Sequence, residues 1–194
     1  MAHNIPLDAV YPEKMKKNIL FGGNGLLSQH GIPKPTYYVY NFLCRVGEYH
    51  LAHDDYSILF AGKEGNYQII CHNCKRLNYQ YYLDEQRSAL GTPGQYFEET
   101  EPLTLNYRLT GVRNGRYILK QRLVSPQNGS VQDLLYQMGA SEGIYVHSHD
   151  LEYLRQVSVP QLHLQEMQSV NGELSIHLTV PANAILYLHI IYQY

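Results

Sequence analysis

Four short stretches hold residue types that can do chemistry. They are Gly-Gly-Asn-Gly at 22–25, Cys-His-Asn-Cys at 71–74, the glutamates Glu98, Glu99 and Glu101, and His-Ser-His-Asp at 147–150. A glycine loop ahead of a helix can cradle phosphate on its free backbone amides. Here the lysine and hydroxyl of a phosphate loop do not follow, and the dinucleotide glycine spacing is absent. The expected role is a tight surface loop in which glycine supplies positive φ. Cys71 and Cys74 have the spacing of half a zinc site, but zinc takes four ligands and no second pair stands at similar spacing. A redox pair normally opens a helix, whereas this one lies on or just after a strand. Cys71 shares a strand face with Tyr67 and Ile69, which makes it a core thiol.

His147 and His149 alternate before a predicted helix, with Asp150 next. Such a cluster suits a divalent ion or a capped, solvated helix entry, and the cap is the expected role. His163, His177 and His189 occupy strand positions where surface imidazoles are ordinary. Glycosidic hydrolysis needs two carboxylates flanking the bond. Glu98, Glu99 and Glu101 precede a strand and Glu64 lies in a turn. None ends a strand of a parallel βα series, where a barrel enzyme keeps its acids. There is no Gly-x-Ser-x-Gly elbow. No catalytic residue, metal ligand or cofactor is assigned to the chain.

Composition narrows the partners. The 194 residues are 44 % hydrophobic and 16 % charged, with formal net charge −2. That supports a sizeable core and gives no basic bias that would suggest direct nucleic-acid contact. No polybasic block or spanning apolar run points to a membrane. The N-terminus has no signal-peptide pattern, and three cysteines cannot all pair. A reducing cytoplasm is the expected compartment. Nineteen tyrosines stand against four phenylalanines and no tryptophan. Tyrosine suits half-buried strand faces and sugar-stacking surfaces alike.

Local periodicity and turn residues define the elements that must position these groups. Residues 33–46 form a helix with the stripe Val39, Phe42, Leu43 and Val46, and Gly47 stops it. "SILFA" and "NYQIICHN" form strands joined through Gly-Lys-Glu-Gly. Residues 78–100 read as an irregular excursion. "LTLNYRLTG" alternates, with Leu103, Leu105, Tyr107 and Leu109 on one face, and Asn114-Gly115 turns it into "YILKQRLV" as an antiparallel hairpin. "GSVQDLLYQMGA" reads as a helix capped by Ser130 and ended by Gly139, and "HDLEYLRQ" as another turn or two. Three strands close the chain, with Asn171-Gly172 between the first two. The last, "AILYLHIIYQY", is apolar on both faces and so lies centrally. The expected fold is mainly β, an antiparallel sandwich interrupted by short helices.

The segment "LFGGNGLLSQHGIPKPTYYVYNFLCRVG" resembles the end of the catalytic barrel in glycoside hydrolase family 39, the β-xylosidase and α-L-iduronidase family. Phe21, Gly22, Gly23, Gly25, Leu26, Leu27, Gly31, Ile32, Lys34, Pro35, Tyr37 and Tyr38 carry the match. "YQIICHN", "LTGVRNGRYILKQRLVSPQNGSVQDLLYQMGA" and "LEYLRQVSVPQL" resemble later family segments in the same order. The likeness covers roughly residues 19–194. It implies that residues 1–47 are the last loop and helix of a (β/α)8 barrel and that 48–194 are a C-terminal β-sandwich. It also implies that Phe21, Gly22, Gly23 and Asn24 border the sugar site, that the two catalytic glutamates lie on barrel strands outside this chain, and that its main partner is an upstream barrel of the same polypeptide. The histidine usual between Phe21 and Gly22 is absent.

Three functions are compatible with this resemblance. The chain is the accessory domain of a family 39 glycosidase; or it is the sugar-sensing module of an AraC-type transcriptional regulator; or it binds glycans on its own through Tyr79, Tyr81 and Tyr82. Small sugars and a second copy of the chain are the further partners. The helix stripe is expected to pack on the sandwich or on that second copy.

Overall fold

The computed structural model describes residues 5–7, 25–28, 30–86, 93–138 and 147–194. The chain folds into two compact units. One comprises residues 1–40, 77–97 and 124–160; the other comprises 41–76, 98–123 and 161–194.

The first unit opens with a two-stranded sheet, β1 (Ile5–Leu7) and β2 (Gly25–Leu27), paired in parallel with Ile5 opposite Gly25 and Leu7 opposite Leu27. A strand therefore stands on each side of residues 8–24, where the sequence showed none of convincing length. Helix α1 spans Pro35–Leu43, shorter than the predicted 33–46. Pro35 sits at its first position, where no amide donor is needed. Its buried positions are Tyr38 and Phe42, one turn apart, while Leu43 is exposed. The predicted stripe thus shifts by one residue: aromatic bulk at 38 and 42 takes the inward face. Residues 78–100, predicted irregular, contain α2 (Tyr79–Gln86) and a 3-10 turn at Pro93–Tyr96. A helix rich in tyrosine carries little apolar periodicity to announce it. Two further helices are α3 (Gln132–Gln137) and α4 (Ser148–Val157). Gly139, the predicted end of α3, lies outside the described residues. Ile32, Val131, Leu135 and Leu154 form the unit's core.

The second unit is the expected antiparallel β-sandwich. Its strands are β3 (Tyr49–His53), β4 (Ser57–Ala61), β5 (Tyr67–His72), β6 (Leu103–Thr110), β7 (Gly115–Val124), β8 (Leu162–Ser169), β9 (Glu173–Val180) and β10 (Ile185–Gln193). Six of them make one sheet in the order β3-β4-β5-β10-β7-β8, and β6 pairs with β9 in the other. The last strand lies centrally, as its two apolar faces require. Alternation sets the core: Leu174, Ile176, Leu178 and Val180 of β9 meet Ile69, Leu119, Leu186, Leu188 and Ile190 of the larger sheet. Strand β3 carries no alternation signal because every one of its residues is exposed. Phe42, at the end of α1, stacks on Tyr187 of β10, with ring centroids 5.2 Å apart and planes 15° apart. Both residues belong to this unit, so of the predicted stripe Phe42 packs on the sandwich.

The predicted β6–β7 hairpin does not form, because the two strands belong to different sheets. A type I′ turn needs positive φ at both central residues. Gly115 has φ 143°, but Asn114 is not among the residues with positive φ. The chain instead turns a corner from one sheet to the other. Asn171 and Gly172, with φ 54° and 74°, do make the tight turn, closed by reciprocal backbone bonds between Val170 and Glu173 at 3.1 and 3.0 Å. The two corners grip each other. Gly172 N–H donates to Asn114 Oδ1 at 2.6 Å, and Ser169 Oγ donates to the Arg113 carbonyl at 2.6 Å. Among the described residues no helix is long and apolar enough to cross a membrane.

Candidate functional site

Phe21, Gly22, Gly23 and Asn24, expected to border a sugar site, lie outside the described residues. The chain just after them forms a compact turn. Ser28 is fully buried, and its Oγ accepts from the amides of His30 and Ile32 at 3.3 and 3.2 Å. The Lys34 amide returns to the Leu26 carbonyl at 3.0 Å. Gly31, with φ 72°, supplies the left-handed residue of this turn. Arg155 of α4 ties the turn down by donating its Nε–H to the His30 carbonyl at 2.8 Å. Ile32, in the middle, fills the small core beside Leu154. This stretch is a braced turn.

The Cys-His-Asn-Cys stretch splits into unlike environments. Cys71 is buried in the sandwich core, as its strand face implies, and Cys74 is exposed. Burial pushes the Cys71 thiol up to about 12, against a weaker opposing contact from Tyr107. A thiol so far from ionising is no nucleophile at neutral pH. The residue of consequence here is Asn73, which carries no signal in the sequence. Its buried Nδ2 donates to the carbonyls of Glu101 at 3.1 Å and Val180 at 3.0 Å, and its backbone bonds both Asn183 and Ala184. It pins the end of β5 to the β9–β10 turn. Its partners lie up to 111 residues away, so no local pattern marks it.

The histidine cluster is a helix entry. His147 precedes α4, and Asp150 Oδ2 accepts from the His147 amide at 2.9 Å, the return arm of a capping box. The carboxylates are scattered: Glu99 pairs with Lys75 at 3.1 Å, and Glu64 sits in the turn after β4 with φ 62°. Among the described residues no three His, Cys, Asp or Glu side chains gather as a metal set.

The tyrosines of α2 do come together. Tyr81 meets Tyr82 and Tyr96 edge-on, at centroid distances of 5.5 and 5.6 Å. Buried Tyr96 donates its hydroxyl to Asp84 Oδ2 at 3.0 Å, and Gln80 donates to Asp84 Oδ1 at 2.6 Å. This bracing leaves Tyr79 and Tyr82, one helical turn apart, 75 % and 50 % exposed. Two outward rings one helical turn apart can stack a sugar ring.

No family model matches the sequence. Among solved structures, the chain superposes on a GH39 enzyme from Xanthomonas axonopodis pv. citri with TM-score 0.72 and 18 % identity, over 91 % of this chain and 34 % of that one. A monomeric β-xylosidase from Caulobacter crescentus CB15 gives TM-score 0.74 and 20 % identity, over 92 % and 34 %. The chain has the fold of part of a GH39 enzyme. A bacterial orthologue of human α-L-iduronidase matches less well, at TM-score 0.59 and 12 % identity over 84 % and 28 %. The chain thus spans about a third of the length of the GH39 structures it matches. At these identities the likeness to GH39 enzymes is one of fold, and it agrees with the resemblance read from the sequence.

Proposed function

We propose that this chain is a non-catalytic region of a GH39-type protein of carbohydrate metabolism, whose catalytic barrel belongs to the same polypeptide. In this reading residues 1–47 close the barrel and residues 48–194 are the C-terminal region that comes after it and carries the sandwich. The observation that carries the proposal is the match over nine-tenths of this chain to a third of two GH39 enzymes. The parallel β1–β2 pair followed by α1 supports it, since parallel strands followed by helices are how such barrels are built. Assaying the purified 194-residue chain on an aryl β-xyloside tests it. No turnover above the uncatalysed rate is expected, and turnover that copurifies with the chain overturns the proposal.

A second reading rests on the outward rings of Tyr79 and Tyr82, which suit glycan stacking. Titrating the chain with xylo-oligosaccharides while following tyrosine emission tests it. Binding should disappear in Tyr79→Ala. No binding at about millimolar sugar, a free energy near 4 kcal/mol, removes this reading.

A further inference from the structure

We propose that Arg45, Lys120, Arg122 and His189 form a binding site for a phosphate-class oxyanion on the outer face of the six-stranded sheet. The strands place them. On β7, Tyr117 and Leu119 point into the sandwich core, so Lys120 and Arg122, two residues apart, share the opposite face. On the neighbouring strand β10, Leu188 and Ile190 point inward, so Tyr187 and His189 share that same outer face. The Tyr187 and His189 rings lie 6.4 Å apart. Tyr187 donates its hydroxyl to the Arg45 carbonyl at 3.3 Å, which brings the segment after α1 to the same patch.

Charge singles the patch out. Arg116, further along the same face of β7, is neutralised by Glu166 of β8 at 2.7 Å. Lys120 and Arg122 instead stand opposite Leu164 and Leu162 of β8. Lys63 with Glu48, Lys75 with Glu99 and Arg108 with Glu173 also pair, and none of these carboxylates answers this cluster. Strand β5 offers His189 an uncharged partner, Gln68. Lys120, Arg122 and His189 are all half-buried. Like charges held together on a partly desolvated face repel, and an oxyanion relieves that repulsion while accepting several N–H bonds. Arginine's planar fork suits such an oxyanion. Burial, then Lys120, Arg122 and Arg45, hold the His189 imidazole below its usual range. It is therefore neutral at neutral pH and gains a proton more readily once a dianion sits beside it.

The test reads that imidazole by proton NMR across pH, with His189→Gln assigning its resonance. Inorganic phosphate is added up to about 10 mM, enough to fill a site of millimolar Kd. A parallel series uses sodium chloride at equal ionic strength, because screening alone weakens the cationic field. The His189 midpoint should rise with phosphate and stay lower in chloride. In the double variant Lys120→Gln/Arg122→Gln it should start higher and respond at least about tenfold more weakly. A hexose 6-phosphate arm separates the sources: a tenfold tighter response than to inorganic phosphate identifies a sugar phosphate, and an equal response identifies the free anion. A midpoint that ignores both phosphates, or that moves as far in chloride, overturns the site.

Discussion

Replacing Gly47 by alanine tests how this fold uses a glycine that looks like a helix stop. A Cβ built on Gly47 lies 2.2 Å from the Ala61 carbonyl oxygen, 2.6 Å from its carbon and 2.7 Å from the Gly62 nitrogen. These are backbone atoms at the end of β4, so no side chain can swing away. Ordinary contact begins near 3.4 Å, so the two segments must part by about 1 Å. Overpacking of this kind costs about 1–3 kcal/mol. The shift also stretches the bond from the Gly47 amide to Gln68 Oε1, now 3.0 Å, on a side chain that is only 5 % exposed. An orphaned buried acceptor adds about 1–3 kcal/mol. The expected loss is at least about 2 kcal/mol, or roughly 4–8 °C in Tm for a chain of this length. Urea unfolding followed by circular dichroism measures it. Gly94, with nothing within 4 Å of its built Cβ, is the control, and Gly94→Ala should stay within about 0.5 kcal/mol. Gly47→Asn decides the cause. A left-handed helix cap tolerates asparagine, whereas a steric contact treats it as alanine or worse. A stable Gly47→Asn, or equal effects at residues 47 and 94, refutes the close-approach account.

Three other perturbations have definite expected outcomes. Phe42→Ala empties the stack on Tyr187 and should cost about 3–5 kcal/mol in urea unfolding, with Phe42→Leu well below that. In the native chain a thiol reagent should titrate exposed Cys44 and Cys74 but leave buried Cys71 silent until denaturant is added; rapid native labelling of all three would contradict the core placement. Asp54 Oδ1 accepts from the amides of Tyr56 at 2.8 Å and Ser57 at 2.6 Å, and from Ser57 Oγ at 3.0 Å. The Tyr56 bond leads the causes that hold its carboxyl below the usual value. A depressed acid stabilises the fold above its unfolded value, about 3.9, and that contribution fades as pH falls through the lower folded value. Acid unfolding of Asp54→Asn should therefore be flatter across that window than that of the parent chain.

Much of the β architecture was legible because alternation is a local consequence of burial. Strands β6 and β9 read correctly from period two, β4 and β5 from short runs joined by a turn, and β10 with its central place from being apolar on both faces. The capping role of His147 and Asp150 was legible for the same reason, since all its atoms lie within one helical turn. Helix α2 escaped because its apolar side is built from tyrosines braced by Asp84, a pattern with no clear helical stripe. The tyrosines themselves stood out as candidates, but only their packing shows that Tyr79 and Tyr82 face out while Tyr81 leans on Tyr96. The basic patch went unread because its residues come from three stretches of chain, Arg45, Lys120 to Arg122, and His189.

By itself the sequence determined which residues alternate, which strand is apolar on both faces and where helices can be capped, since each depends on neighbours a few positions away. Tertiary structure alone decided the partners. The clearest case is a dipeptide met twice: Asn171-Gly172 adopts positive φ at both residues and makes a tight turn, while Asn114-Gly115 does so only at the glycine and carries the chain between sheets. The two residues are the same in each place. What differs is which sheet the flanking apolar faces can be buried against, and that choice is made by strands remote in the chain.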